Sequence, residues 1–249
     1  MELKVEILPS LIDNYIYLVR YNSSVIVFDP GDAACVEHYL EENDCSLKAI
    51  VITHHHSDHI DGLLPLKEKF DPAVYAPQDG TVPKVDTIVK DGDTLKIGPL
   101  KLQVIHTPGH TKGHVVYYEQ NKKWLFSGDT LFGAGCGKLF EGTAADMYSS
   151  FLRLGELDPS TQVYCGHEYT KTNLTFAHSL EPNNVLVAER LASVEKMQRT
   201  VPFELRNEFE TNPYFRVDDG SLRTALDMTA ASSTEVFAEI RKRKDSFKP

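Results

Sequence analysis

The chain has 249 residues, a formal net charge of −10 and a hydrophobic fraction of 41%. That length suits one large domain or two smaller ones with a substantial core. The acidic balance argues against general nucleic-acid affinity, which needs a basic surface, and no apolar run approaches the ~20 residues that cross a bilayer.

The first residues, Met1-Glu2-Leu3-Lys4-Val5-Glu6-Ile7, alternate like a strand and do not read as a signal or transit peptide. A cytoplasmic protein without a membrane partner is expected. Tyr15 to Val19 and Val25 to Phe28 are β-rich runs around the turn Tyr21-Asn22-Ser23-Ser24. Ala34 to Asn43 reads as helix. Lys48 to Thr53 is an apolar strand that runs into His54-His55-His56. Leu100 to Ile105 ends at His106-Thr107-Pro108-Gly109-His110, and Val115 to Tyr118 with Trp124 to Phe126 reads as a hairpin that delivers Gly128-Asp129-Thr130. Asp146 to Leu154 is helical. This alternation predicts an α/β domain with a mixed sheet core. After Tyr169 the β-rich runs vanish. Val187, Leu191, Val194 and Met197 recur at helical spacing, and Ser232-Ser233-Thr234-Glu235 is a capping-box start for a last helix running toward Lys244. The expected division is therefore 1–170, carrying the strands, and a small helical domain, 171–249. Four cysteines, Cys35, Cys45, Cys136 and Cys165, fit no paired metal spacing and are expected to be reduced.

The most informative segment is Thr53-His54-His55-His56-Ser57-Asp58-His59. A loop at a strand end can aim His54 and His56 to one side and present Asp58 and His59 to an adjacent point, which suits two metal ions. His110, Asp129 and His167 also follow β-type runs. The chain thus offers five imidazoles and two carboxylates for two sites. His55 is expected to point away. His106 and His114 are candidates for supporting a ligand, as is Asp29 in Phe28-Asp29-Pro30-Gly31-Asp32, although Asp-Pro-Gly is also ordinary turn chemistry. His38 and His178 read as helix-face residues.

The order H-x-H-x-D-H, then a distant His, Asp and His, resembles the metallo-β-lactamase superfamily. The resemblance implies an αββα sandwich with a dinuclear metal site. By that match His54, His56 and His110 hold one metal, Asp58, His59 and His167 hold the other, and Asp129 bridges both. Asp58 and Asp129 are the expected catalytic carboxylates. Imidazole and carboxylate accept zinc, with iron or manganese as alternatives. Such a pair acidifies water and polarises a carbonyl or phosphoryl group, so the metal motif alone does not choose among lactams, lactones, thioesters and phosphodiesters.

Other segments narrow the choice. Gly135-Cys136-Gly137-Lys138-Leu139-Phe140-Glu141-Gly142-Thr143, Gly166-His167-Glu168-Tyr169-Thr170, Glu181-Pro182-Asn183, Asn212-Pro213-Tyr214 and the basic run from Arg241 resemble glyoxalase II, the hydroxyacylglutathione hydrolases, over essentially the whole chain. That resemblance implies hydrolysis of an S-(2-hydroxyacyl)glutathione thioester, typically S-D-lactoylglutathione, by a hydroxide held between the metals. It also implies a glutathione site at Lys138, Phe140, Tyr169, Arg241 and Lys244. Two cations three apart on one helix face can meet an anionic end, whereas taken alone such a run reads as a solvated basic face. Several family members have Tyr where Phe140 stands, so weaker glutathione binding is expected. Cys136 is not needed as a nucleophile where a metal hydroxide is available. The alternatives are a persulfide dioxygenase of the same superfamily, which would use one iron on His54, His110 and Asp129, and a broader esterase or lactonase. A monomer is expected.

Overall fold

In the computed structural model, residues 3–78 and 81–248 are described. The chain forms two compact units: one comprises the chain up to His106 with Gly113–Gly128, the other Thr107–Lys112 with the chain from Asp129 onward.

The first unit holds a six-stranded sheet in the order β1 (Lys4–Ser10), β2 (Asn14–Tyr21), β3 (Ser24–Phe28), β4 (Ser46–Val51), β5 (Ala73–Pro77), β6 (Thr87–Val89). The first three strands pair antiparallel and the rest parallel. Asn22 takes up a φ of 52°, a left-handed conformation that Asn tolerates, so a two-residue turn joins β2 to β3. Helices α1 (Ala33–Glu42), α2 (Ser57–Ile60) and α3 (Leu63–Phe70) fall in the parallel connections. Asp32 caps α1 by accepting from the Ala34 N–H. A four-stranded antiparallel meander follows: β7 (Thr94–Ile97), β8 (Leu100–His106), β9 (Val115–Glu119) and β10 (Trp124–Gly128).

Strand β2 is buried from Asn14 through Val19 because both of its faces are covered. Ile16 and Leu18 join Val25, Val27, Val36, Leu40, Ile50, Leu63 and Leu66 in a core between the sheet and its helices. The intervening positions face the meander: Phe28 stacks on Phe126 at 3.9 Å, and Tyr17 lies 5.9 Å from the same ring. The period of two in the sequence thus feeds two cores, one helix-on-sheet and one sheet-on-sheet.

The second unit opens with a minimal hairpin, β11 (Leu131–Phe132) and β12 (Gly135–Cys136), followed by α4 (Ala144–Gly155), which carries a full Thr143/Asp146 capping box. Strand β13 (Gln162–Cys165) pairs antiparallel with β14 (Phe203–Glu204). The remainder is helical: α5 (Thr170–Leu180), α6 (Val185–Val194), α7 (Leu205–Thr211), α8 (Gly220–Ala225) and α9 (Ser233–Ser246). The predicted Ser232/Glu235 capping box begins α9. Helix α6 stops at Val194, short of Met197, which is half exposed. Val187, Leu191 and Val194 pack with Leu174 and Ala177, whereas Met197 is not part of that cluster. Strand β14 is an exception to the loss of β structure after Tyr169, and two residues are too few to show a period. Among the described residues no helix is long and apolar enough to cross a membrane.

Candidate metal centre

The first unit places one group of candidate ligands at the end of β4. The chain leaves that strand through Ile52 and Thr53, runs extended to His56 and closes into the single turn of α2. His54 and His59 are fully buried, His56 and Asp58 partly so. His54 Nε2 lies 3.1 Å from His56 Nδ1, and the His54 and His59 ring centroids are 4.2 Å apart. Asp29, His54 and His59 offer ligand atoms within 4.8 Å of one another.

Hydrogen bonds behind these rings select their tautomers. Asp29 accepts from the Thr53 N–H and the Thr53 hydroxyl, each at 2.7 Å, and its Oδ2 lies 3.1 Å from His59 Nδ1. A proton on His59 Nδ1 is thereby favoured, so that Nε2 carries the lone pair. The Thr53 hydroxyl, already donating to Asp29, lies 3.0 Å from His54 Nδ1 and accepts from it, with the same consequence for His54 Nε2. Asn14 Nδ2 donates to Asp58 Oδ2 at 2.9 Å. The support expected of Asp29 is therefore in place, and Thr53 and Asn14 are additions. In the sequence Thr53 reads as the last residue of the apolar strand from Lys48, and Asn14 carries no local signal. His114 is fully buried and stacks on His54 at 4.8 Å. The His55 ring meets His56 edge-on at 5.2 Å. The His106 N–H donates to Asp91, His38 pairs with Glu42 on the surface of α1, and His178 is half buried on α5.

The second unit holds the other group. His110 Nε2 and His167 Nε2 lie 3.4 and 3.3 Å from the same oxygen, Asp129 Oδ2, and all three residues are buried. His110 Nδ1 is 2.8 Å from the Lys138 carbonyl, to which only a ring N–H can donate, so its Nε2 also carries the lone pair. Two imidazole nitrogens within 3.4 Å of one carboxylate oxygen form a donor set suited to a divalent cation, and each group of candidate ligands fits that chemistry.

The expected glutathione contacts also lie in the second unit. Phe140 is 59% exposed, meets the His110 ring edge-on at 5.3 Å and lies 5.2 Å beneath the exposed Lys138 ammonium. Tyr169 stacks in parallel on His167 at 4.9 Å. Arg241, only 7% exposed, donates to the Cys136 carbonyl at 3.0 Å and to Asp245 Oδ1 through Nε and Nη2. Lys244 is half buried between the Phe176 and Phe247 rings and donates to the Thr172 carbonyl. The two cations of α9 thus differ: one is an internal brace, the other reaches α5. The four cysteines carry no disulfide, and burial pushes the Cys136 thiol up, away from the thiolate.

Residues 11–167 match the model of the metallo-beta-lactamase superfamily, and residues 168–247 match that of the hydroxyacylglutathione hydrolase C-terminus. The chain therefore belongs to the metallo-beta-lactamase superfamily, and within it to the hydroxyacylglutathione hydrolases. It is 40% identical to a hydroxyacylglutathione hydrolase of Pseudomonas aeruginosa, covering 98% of this chain and 100% of that one. It is 42% identical to another from Brucella ovis, covering 94% and 95%. Among solved structures, ETHE1 from Myxococcus xanthus aligns over 100% of this chain and 92% of its own at 24% identity with a TM-score of 0.69, a likeness of fold.

Proposed function

We propose that this protein hydrolyses the thioester of an S-(2-hydroxyacyl)glutathione, typically S-D-lactoylglutathione, to the hydroxy acid and glutathione. The observation that supports this reading is that hydroxyacylglutathione hydrolases match nearly the whole chain, its C-terminal segment matching the model specific to them. The match includes a C-terminal segment that a bare metallo-hydrolase motif would not require. By the family pattern, His54, His56 and His110 would hold one divalent ion, Asp58, His59 and His167 a second, with Asp129 shared. Zinc suits these nitrogen and oxygen donors, as do iron and manganese.

When bound, the ions supply an acidified water near neutral pH and polarise the thioester carbonyl. The chain's own part is orientation. Asp29, Thr53 and the Lys138 carbonyl fix which nitrogen His59, His54 and His110 present. Lys138 and Lys244 are cations for the carboxylates of glutathione, Phe140 and Tyr169 give aromatic walls, and Arg241 supports the loop that carries Lys138. Water adds to the carbonyl carbon, the C–S bond breaks, and glutathione leaves as a thiolate that takes up a proton. The free cysteines support a reducing compartment, the cytoplasm, as the place of action.

The test is hydrolysis of S-D-lactoylglutathione beside a thioester lacking glutathione, by protein of known metal content. Selective cleavage of the glutathione substrate is expected. Equal rates on both would keep the hydrolase and remove the glutathione site.

A further inference from the structure

The β11–β12 hairpin touches His167, Tyr169 and Arg241 and lies in the chain between Asp129 and Lys138. Asp129 lies just before it. Phe132 meets the His167 ring at 5.9 Å and the Tyr169 ring at 5.2 Å. The Cys136 carbonyl receives Arg241 at 3.0 Å, and the chain then reaches Lys138, whose carbonyl orients His110. Yet the hairpin has only two paired positions, Leu131 with Cys136 and Phe132 with Gly135. Its turn residue Ala134 sits at a φ of 53°, in the left-handed region that costs an L-residue with a side chain. So short and strained a hairpin does not hold its own shape.

Contacts from the helical segments hold it instead. Glu208 on α7 is fully buried, and its Oε2 accepts the Ala134 N–H at 2.7 Å. Asn212 donates to that same oxygen at 2.8 Å and to the Gly135 carbonyl at 3.1 Å. Asn173 on α5 donates to the Gly133 carbonyl at 3.1 Å. Arg190 on α6 closes an ion pair with the other Glu208 oxygen, so the buried carboxylate is neutralised away from the hairpin.

We propose that Glu208 is a positioning residue for metal binding: its carboxylate fixes the strained hairpin tip, and through it Asp129 and His110. The inference rests on the reading of these two residues as metal ligands. It assigns part of the site's precision to a glutamate far from it in sequence.

Zinc affinity, measured by competition with a chromophoric chelator, is the primary readout because it does not depend on the substrate. Thermal melting and kcat are followed alongside. Glu208→Asp keeps the negative charge but is one methylene shorter, so its carboxylate cannot span both Arg190 and Ala134. Glu208→Gln keeps an acceptor at full reach for Ala134 and gives up the ion pair, Arg190 retaining the Asn207 carbonyl and the Thr211 hydroxyl. Glu208→Asp is expected to weaken zinc binding roughly 10–100-fold and to lower kcat more than it raises KM, while Glu208→Gln restores affinity to within about three-fold of the original protein. A merely structural brace would lower the melting temperature in both variants and leave zinc affinity of the folded protein unchanged. That result would overturn the proposal, as would Glu208→Gln losing as much affinity as Glu208→Asp. Failure of the unaltered protein to bind zinc would overturn the ligand reading itself, a different result.

Discussion

At the scale of single residues, the candidate ligands are held from behind by hydrogen bonds. Asp29 uses both carboxylate oxygens to hold Thr53 and His59, and its φ of 48° aims it back at the loop. Lys244 gives a titration with a sign. Burial, then the neighbouring positive charge of Arg241, pushes its ammonium down to about 8 from an ordinary 10.5. Between those values the unfolded chain binds the extra proton, so this group's contribution to stability rises with pH across that window. Recognition runs the other way, because above pH 8 the cation that would meet a carboxylate is lost. KM for the glutathione thioester is therefore expected to rise between pH 7 and pH 9 with less change in kcat, and Lys244→Arg to flatten the rise, since a guanidinium stays charged. Identical pH profiles of KM in the two proteins would remove Lys244 from the binding site.

At the scale of elements, the loop from Asp129 to Lys138 is built by close approach. A Cβ on Gly137 would lie 2.0 Å from the Asp129 carbonyl oxygen and 3.1 Å from His110 Nδ1, so only glycine lets the chain turn past both proposed ligands. Gly137→Ala is expected to lower kcat/KM by at least about 100-fold, as a misplacement near 1 Å does, and to lower the melting temperature as well. Near-normal kinetics would mean that the loop can shift without disturbing Asp129 or His110. The H-x-H-x-D-H segment could be read from sequence because its proposed ligands sit within six residues at a strand end, where local spacing decides geometry. Strands β2, β3, β4, β8, β9 and β10 were legible as runs of β-branched and aromatic residues, several of them buried on both faces, whereas the short β5, β6 and β7 were not read. Helices α7 and α8 and strand β14 were not, being too short for a period to emerge. Glu208 gave no local signal either, because its bond to Ala134 spans 74 positions and only the fold brings the two together.

At the scale of the whole molecule, the proposed ligands run from His54 to His167, so an unfolded chain offers no assembled site and metal binding should favour the folded state alone. Linkage then sets the size of the effect: at a free metal concentration one hundred times Kd, one site adds about 2.7 kcal/mol of stability. For a chain of this length 1 kcal/mol moves the melting temperature by about 2–4 °C, so removal of one tightly held ion should lower it by roughly 5–10 °C. Melting of the protein before and after chelation, then after return of zinc, checks this, and both the loss and its recovery are expected. The shift should grow with the logarithm of zinc concentration, which separates specific binding from a general salt effect. A monovalent salt of equal ionic strength screens the net charge of −10 and would mimic only the latter. A melting temperature indifferent to zinc would mean that the seven residues do not act as a metal site, whatever their rings and carboxylates suggest. A shift that sodium chloride reproduces would trace the stabilisation to relief of repulsion among acidic side chains.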